Sequence, residues 1–557
     1  MNKKETKFSA IGFIFASIGA AVGLGNIWRF PEKMVNGGGS SFIIIYFLIL
    51  LMVCLPIFIL ELNYGVFFGK GVVKCFAKNN RFIGSAAGWK QTMLITFLSF
   101  FYLVVIAWIG IGFVLSFIPM FFKDWSGDGL WFDNTILKSA STKEQEISNI
   151  SSLKFSPWVF LSIVIILLIV LTIMSAGLKN GLEKANYIFV PGLFVILVGL
   201  TVYSLFFLKD GKVGAEVLFD FDFKKMNNGK IWFEATKQGI FSTGILIGIL
   251  IVFSKKADVR MDKNNEAILV VLFDTFIALI AGLLVVSLIS HDVGSEIDKE
   301  KQLVGNERTQ EIIKQVKNKF GKDSSLGGSQ LLFVYLPKLF GSMNSKGISF
   351  GAGNLLMMSF TITLLFAALS SIIAMAEVSV DGLQENFQIK KRNSIIIFGV
   401  FALIFISFYS TSIGPALVGK QDGIVLLFIT IVGVVQLLIF ITSPKYFEVI
   451  QTNSKYTFLK LNRFNWLRVL TCTITIPFLI ILSIFGILDI SGVNHILARD
   501  HSEYVDWLGL NTKNTSKFTF NLPQLISFIM FGVSTLLTGL FVILGSLKMF
   551  NKKTITK

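Results

Sequence analysis

The chain carries about a dozen apolar runs, each long enough to cross a lipid bilayer, which takes ~20 residues per helix. The runs lie at 8–31, 42–68, 91–121, 157–175, 184–208, 233–254, 266–290, 354–380, 393–411, 421–442, 467–488 and 524–547. Hydrophobic residues make up 53% of the sequence and the mean hydropathy is +0.71, which is more than a soluble core requires. We therefore predict an all-α integral membrane protein with one transmembrane helix per run.

Basic residues are concentrated in the short loops that follow every second span. The formal net charge is +17, and lysine or arginine clusters precede the first span and follow the second, sixth, eighth, tenth and last. Short basic loops face the cytoplasm, so both termini are predicted to be cytoplasmic in a multi-pass protein of the cell membrane. We interpret the charge as a topology signal and as attraction to anionic lipid, not as a nucleic-acid-binding surface.

Cysteine and histidine are scarce, with three of each in the chain. This predicts neither a disulfide framework nor a histidine metal site. The first run lacks a small-residue cleavage site, so we expect it to be a span and not a removable signal peptide. A phosphate-binding loop, a GxSxG turn and a zinc-protease motif are all missing from the sequence, which disfavours an enzyme.

Small and polar residues interrupt four of the apolar runs, where lipid offers no hydrogen bonds. They are GAAVGLGNIWRFP at 19–31, KQGIFSTGILIG at 237–248, Asp274, and FAALSSIIAMAE at 366–377. Taken singly, the glycines could form close-packing faces and the serines could bond to the preceding turn. Asp274 could likewise lie near a helix end.

The first and sixth spans are the most interrupted, and they lie five spans apart. This spacing is expected of two five-helix repeats that each begin with a discontinuous helix. A broken helix frees carbonyl groups, which can hold a hard cation, and amide groups, which face an anion. The breaks are therefore predicted to create ligands.

These stretches resemble the neurotransmitter:sodium symporter family. The resemblance is carried, in order over spans one to eight, by AAVGLGNIWRFP, NGGGSSF, PIFILELNYG, FYLVVIAW, IFSTGILIG, LFDTFIALIAGL and FAALSSI. It implies the LeuT-type fold of bacterial sodium-dependent amino-acid transporters: twelve helices in a 5+5 inverted repeat plus two extra helices, with helices 1 and 6 unwound at mid-membrane. The repeats would cover 1–210 and 230–445, with a charged outer insertion at about 291–350, and 446–557 would hold helices 11 and 12 and the tail.

The resemblance also implies an amino-acid pocket beside two sodium ions. The first ion would be held by Ala21, Asn26, Ser242 and Asp274, and the second by Gly19, Val22, Ala367, Ser370 and Ser371. The substrate would contact Ala20, Ala21, Gly23, Leu24, Gly25, Leu98, Tyr102, Phe241, Ser242, Gly244, Ile247, Ser371 and Met375. Its carboxylate would meet the amides near Leu24 and Gly25 and the Tyr102 hydroxyl.

Two positions refine the expected substrate and ions. Gly23 stands where family members that carry biogenic amines have an aspartate, so the resemblance implies a substrate with its own carboxylate. The implied pocket wall is almost wholly apolar, which predicts a neutral, apolar amino acid, aliphatic or aromatic. Asp274 stands where chloride-dependent relatives have asparagine, and its permanent charge predicts chloride independence.

The family closes its pocket with an outer and an inner gate. In this chain the outer gate would be Arg29 with Asp422, for which Gln421 is the competing position. At the inner end the family's arginine, tryptophan and tyrosine are replaced, and a lysine lacks the bidentate fork of arginine. The inner candidates are Lys4, Lys7, the Phe253–Lys256 segment and Glu385 as a lysine acceptor.

These features together predict sodium-coupled symport of a neutral apolar amino acid into the cell by alternating access. The expected partners are the amino acid, two sodium ions and the lipid bilayer, with the protein a monomer or homodimer in a bacterial plasma membrane. Two alternatives use the same scaffold. One is a non-transporting amino-acid sensor, and the other is a channel that carries sodium without substrate.

Overall fold

The computed structural model describes residues 7–128, 130–138, 153–257, 262–300, 303–320, 330–344, 350–453, 466–490 and 522–555. Every named element in these ranges is helical. The first half contains α1 (Ala10–Ala21), α2 (Gly25–Asn36), α3 (Ser40–Phe68), α4 (Val72–Asn79), α5 (Arg81–Phe117), α6 (Pro119–Gly127), α7 (Pro157–Ser175), α8 (Leu178–Phe206), α9 (Val213–Phe219) and α10 (Phe223–Met226). The second half contains α11 (Gly229–Thr243), α12 (Ile249–Ser254), α13 (Lys263–Glu300), α14 (Gly305–Lys319), α15 (Leu331–Ser342), α16 (Ala352–Phe387), α17 (Lys391–Tyr409), α18 (Gly414–Ile441), α19 (Tyr446–Asn453), α20 (Trp466–Leu470), α21 (Ile476–Ile490) and α22 (Leu522–Ile555).

Nine helical stretches in the described ranges are long and apolar enough to cross a membrane, and the bent pair of α1 and α2 makes a tenth span. One of the nine is Trp466–Phe485, which runs without a break from α20 through 471–475 into α21. The sixth predicted run is divided between α11 and α12, and the apolar part of α22 is shorter than the others. The chain is therefore a multi-pass membrane protein. The count of twelve spans stays a prediction.

The helices differ in how much of their apolar surface faces other protein. In α5, 89% of the most apolar window is buried, whereas in α7 and α8 the buried share is 33%. Large side chains such as Ile165 and Leu168 of α7 are exposed. Because lipid is as apolar as these side chains, α7 and α8 suit the periphery of a bundle in a bilayer, while α5 forms its core.

The first span is interrupted between α1 and α2. Ser9 caps the start of α1 by accepting a hydrogen bond from the amide of Gly12. The helix ends at Ala21 because Val22 turns to an extended conformation, with φ −73° and ψ 98°. The two halves meet at an angle of 46°.

The sixth span is interrupted between α11 and α12. Gly244, Leu246 and Gly248 all have positive φ values, which end one helix and begin the next. The freed amide of Leu246 donates to the Glu61 carboxylate over 3.1 Å, and that carboxylate also accepts from Gln436 over 2.6 Å. A buried side chain from α3 thus satisfies backbone that the helix leaves unpaired.

The charged segment at 291–350 forms the end of α13 together with α14 and α15 in its described part. Arg308 of α14 makes two hydrogen bonds to Asp210, of 2.5 and 2.7 Å, and the two nearby carboxylates raise the pKa of its guanidinium. Ile312 and Val316 on the same helix are buried. The predicted insertion is therefore a helix that packs one apolar face on the bundle and is held there by ion pairs.

Candidate functional site

Three buried polar side chains meet beside the break in the first span. Asn26 lies in the first turn of α2, Ser242 in the last turn of α11, and Asp274 in the middle of α13. The Asp274 carboxylate accepts from Asn26 Nδ2 over 2.6 Å and from Ser242 Oγ over 2.5 Å. Ser242 Oγ also lies 2.9 Å from Asn26 Oδ1. Ala21, the fourth predicted member of this group, is the last residue of α1.

The hydrogen bonds that Asp274 receives here come from neutral groups, an amide and a hydroxyl. Asp274 is fully buried, so its negative charge is removed from water. A buried charge is costly unless an opposite charge compensates it. The cluster of amide, hydroxyl and carboxylate oxygens therefore has the chemistry to hold a hard cation such as sodium.

A second group of oxygens lies between α1 and α16. Ser371 Oγ is 3.2 Å from the carbonyl oxygen of Gly19, 3.4 Å from that of Val22 and 3.1 Å from that of Ala367. Ser370 Oγ is 2.9 Å from the carbonyl oxygen of Ala367 and 3.0 Å from that of Phe366. The serines thus bond to their own preceding turn and, for Ser371, also across to the broken helix.

The predicted carboxylate contacts lie close together. Tyr102 accepts a hydrogen bond from the amide of Leu24 over 3.1 Å. A Cβ atom on Gly23 would lie 3.0 Å from the Tyr102 hydroxyl and 3.0 Å from Ser371 Oγ, so a side chain at position 23 would narrow this space. Gly25 lies opposite Phe241, with 3.7 Å between its ideal Cβ position and the ring.

A cavity of about 370 Å³ lies at this point. Among the predicted substrate contacts, Leu24, Gly25, Tyr102 and Phe241 line it. The remaining lining residues are Trp28, Arg29, Glu32, Lys33, Phe101, Val105, Trp108, Pro415, Val418 and Gly419. The other predicted contacts are not among its lining residues: Ala20, Ala21, Gly23, Leu98, Ser242, Gly244, Ile247, Ser371 and Met375.

Arg29 lies at the mouth of the predicted pocket. Its guanidinium carbon is 5.9 Å from the centre of the Phe241 ring, and one of its nitrogens is 3.9 Å from the Glu234 carboxylate. Asp422 lies within α18, but its side chain is outside what the structure describes. Gln421, the competing position, accepts a hydrogen bond from Tyr409 and is buried there.

Glu234 is a charged residue at this mouth that the sequence did not single out. It lies 3.4 Å from Lys33 and 3.5 Å from Lys237, in addition to Arg29. The sequence around Glu234 in α11 does not reveal these ion pairs, because Arg29 and Lys33 belong to α2, which is distant in the chain.

The opposite end of the bundle is closed by ion pairs between α12 and α16. Lys255 lies 2.5 Å from Asp381, and Lys256 lies 2.6 Å from Glu377. Glu385, the predicted lysine acceptor, has Lys255 at 3.8 Å and also accepts from the amide of Gly71 over 2.6 Å. Lys4 lies outside the described residues.

The start of the described chain also lies at this end. The amide of Phe8 donates to the Lys256 carbonyl over 3.0 Å, and the Phe8 ring makes an edge contact with Phe253 at 5.6 Å between centroids. Sequence reasoning did not pair Glu377 or Asp381 with the lysines after α12. Glu377, Asp381 and Glu385 follow one another at intervals of four residues, so they lie on one face of α16. This row of acids was the signal in the sequence that could have indicated lysine partners.

Glu61 is a further buried acid that sequence reasoning missed. It is fully buried and satisfies the freed amide of Leu246, as described above. A carboxylate inside the apolar run 42–68 is the same kind of signal that identified Asp274.

Comparisons with known proteins identify the family of the chain. A family model described as the sodium:neurotransmitter symporter family matches residues 4–157 and 131–509. An uncharacterized sodium-dependent transporter of Methanocaldococcus jannaschii is 28% identical over 416 residues, covering 74% of this chain and 76% of that protein. The sodium-dependent neutral amino acid transporter B(0)AT2 of Bos taurus is 27% identical over 322 residues, covering 56% of this chain and 43% of that protein.

A solved structure shares the fold. The crystal structure of MhsT in complex with L-phenylalanine matches with a TM-score of 0.64 and 22% identity, covering 87% of this chain and 99% of that chain. The family model matches well over half of the sequence, and the resemblance read from the motifs is confirmed. The chain belongs to the sodium:neurotransmitter symporter family.

Proposed function

We propose that the protein is a sodium-coupled symporter that carries a neutral, apolar amino acid into the cell by alternating access. The observation that carries this proposal is the position of the two oxygen clusters on either side of the break between α1 and α2. One contains Asn26, Ser242 and Asp274, and the other contains Ser371 with the carbonyls of the broken helix. In this proposal both interrupted spans are unwound at mid-membrane, and each cluster takes one sodium ion.

The chemistry of both clusters favours sodium as the coupling ion. All of the groups are oxygens, which a hard cation prefers, and breaking a helix makes carbonyls available where no water can reach. In this proposal the Asp274 carboxylate is ionised and gives the first cluster a negative charge of its own. We therefore propose that transport does not need chloride, and that replacing chloride with gluconate leaves uptake unchanged.

The substrate assignment follows from the groups between the clusters. The amides at the start of α2 present partial positive charge, which suits the carboxylate of an amino acid. Gly23 offers no carboxylate for a biogenic amine. The predicted wall residues Leu98, Phe241, Ile247 and Met375, of which Phe241 lines the cavity in this structure, are apolar and suit a neutral side chain, either aliphatic or aromatic. The name of the bovine relative, which describes a neutral amino acid transporter, supports the same class.

The two ends of the molecule support an alternating-access cycle. The cavity is lined by both Phe241 and Arg29, while lysine–carboxylate pairs join α16 to the turn after α12. This combination corresponds to an outward-facing state. Two sodium ions entering through 100 mV would release ~4.6 kcal/mol, enough for over a thousandfold accumulation at ~1.4 kcal/mol per decade.

A two-part experiment tests the proposal. Thermal unfolding of the purified protein is measured with each standard amino acid, in sodium and in potassium, and the amino acid that stabilises it only in sodium is identified. Its uptake is then measured in proteoliposomes with an inward sodium gradient. Binding without uptake would indicate the sensor, a sodium current without the amino acid would indicate the channel, and no sodium-specific stabilisation would refute the proposal.

A further inference from the structure

Asn186 of α8 carries a buried amide oxygen that makes no hydrogen bond within the described part of the chain. The side chain is 1% exposed. Its nitrogen donates to the carbonyl of Leu182 one turn earlier, over 2.9 Å, which fixes the orientation of the amide. The oxygen is left without a donor. A buried polar atom without a partner is unfavourable, and an apolar residue would fill the same space without that cost.

The orphaned oxygen lies beside Gly19, whose carbonyl belongs to the second oxygen cluster. An ideal Cβ atom on Gly19 would lie 2.1 Å from Asn186 Oδ1 and 3.0 Å from the Cβ of Ser370. The amide oxygen therefore rests against the bare backbone of Gly19, next to Ser370. Only glycine permits this approach, because any side chain at position 19 would collide with the amide.

The neighbouring polar groups of the second cluster also offer oxygens, and the Ser371 hydroxyl faces the carbonyls of Gly19 and Val22. The Gly19 and Val22 carbonyls belong to α1, and the hydroxyls of Ser370 and Ser371 belong to α16. Asn186 adds an oxygen from a third helix. A cation at the centre of the group would give the amide oxygen the partner that it lacks.

We propose that Asn186 Oδ1 is an additional oxygen ligand of the cation held between α1 and α16. The proposal rests on the second sodium site of the proposed function, and it adds α8 to the elements that sodium holds together. Glu183, one turn before Asn186, accepts hydrogen bonds from Ser9 at the start of α1. The same helix thus contacts α1 at its first turn and beside its break, so sodium occupancy would affect how firmly α8 is held.

The test is a sodium titration of the purified full-length protein without any amino acid, following the unfolding midpoint at constant ionic strength with choline as the replacement ion. Asn186→Leu should raise the half-saturating sodium concentration by about tenfold or more. Removing a group that only supports a metal ligand commonly weakens metal affinity about 10- to 100-fold, and Asn186 is proposed as a ligand itself. Asn186→Asp keeps an oxygen and adds a charge. It should lower the midpoint in choline and show a larger sodium-induced rise than the wild type.

Two comparisons make the result specific. Thr201→Val removes a buried hydroxyl from the same helix, where it bonds only to α8 and α13 backbone, and should leave the sodium titration unchanged. Ser371→Ala should weaken sodium binding by removing a proposed ligand. If both position-186 variants have lower midpoints in choline but titrate with sodium like the wild type, Asn186 is a packing residue and the inference is wrong.

If Asn186→Leu does not fold, the sodium titration of Asn186→Asp alone still tests the role of Asn186. A wild-type protein that sodium does not stabilise would overturn the proposed function itself. A sodium response that is lost in Ser371→Ala but unaffected at position 186 would overturn only the role of Asn186.

Discussion

Replacing Asp274 with asparagine is the most direct test of the proposed ion chemistry. The change keeps the size of the side chain but removes its charge. Asp274 is fully buried and accepts hydrogen bonds from Asn26 and Ser242, so an asparagine can keep one of these bonds if the facing amide rotates. The main loss is therefore the attraction between the carboxylate and a cation in the first cluster.

The size of that loss can be worked out roughly. Two unit charges 4 Å apart attract each other by ~4 kcal/mol at an effective dielectric constant of 20. We take about half of this to be offset by the cost of keeping the carboxylate out of water. The remaining ~2 kcal/mol corresponds to a sodium affinity that is ~30-fold weaker, at ~1.4 kcal/mol per decade.

The assay is sodium-dependent binding of the identified amino acid in chloride-free gluconate buffer. Asp274→Asn should raise the half-saturating sodium concentration ~30-fold, the figure estimated above, and added chloride should restore part of the affinity by returning a negative charge. Asp298→Asn makes the same chemical change at an exposed position of α13 and should have no effect. The reasoning is refuted if Asp274→Asn titrates like the wild type, or if the wild type itself loses activity in gluconate.

Three further changes test other parts of the molecule. Gly23→Ala places a methyl group 3.0 Å from the Tyr102 hydroxyl and should weaken amino-acid binding about tenfold, measured by calorimetry, while the sodium-induced rise in unfolding midpoint persists. Lys256→Met leaves Glu377 with one fewer cation, so it should lower the unfolding midpoint and the outward-facing population. The change in population would be detected as increased labelling, from the cytoplasmic side, of an introduced cysteine. Lys256→Arg keeps the positive charge and should leave both quantities as in the wild type. Arg308→Met should lower the midpoint by no more than a few degrees, because its ion pairs lie near the surface, and should leave sodium titration unchanged.

Much of the fold could be predicted because lipid makes polar residues conspicuous. The small and polar residues around Gly19 and Gly244 indicated both interruptions, and α1 and α11 do end there. Asp274 stood out as an acid in an apolar run, and it does meet Asn26 and Ser242, which come from two other helices. In each case the informative residues lie close together in one apolar run. Few explanations exist for polar residues in a bilayer, so the pattern could be interpreted from the sequence.

Other features depend on partners that are distant in the chain. Asn186 lies near the start of the predicted run 184–208 and looks like a polar residue at a helix end until Gly19 is seen beside it. The lysines after α12 were recognised as a departure from the family, but their carboxylate partners lie more than a hundred residues later on α16. The buried face of α14 was hidden because the segment is strongly charged overall.

Two consecutive lysines, Lys255 and Lys256, directly follow the short helix α12, and their partners, Asp381 and Glu377, stand one turn apart on α16. The two lysines are neighbours in a single turn, so a movement of α12 and this turn acts on both ion pairs together. Neither ion pair can then separate much without the other. In the proposed transport cycle, a barrier built from these two pairs would have few half-open forms, which would limit the routes by which ions could cross without the amino acid.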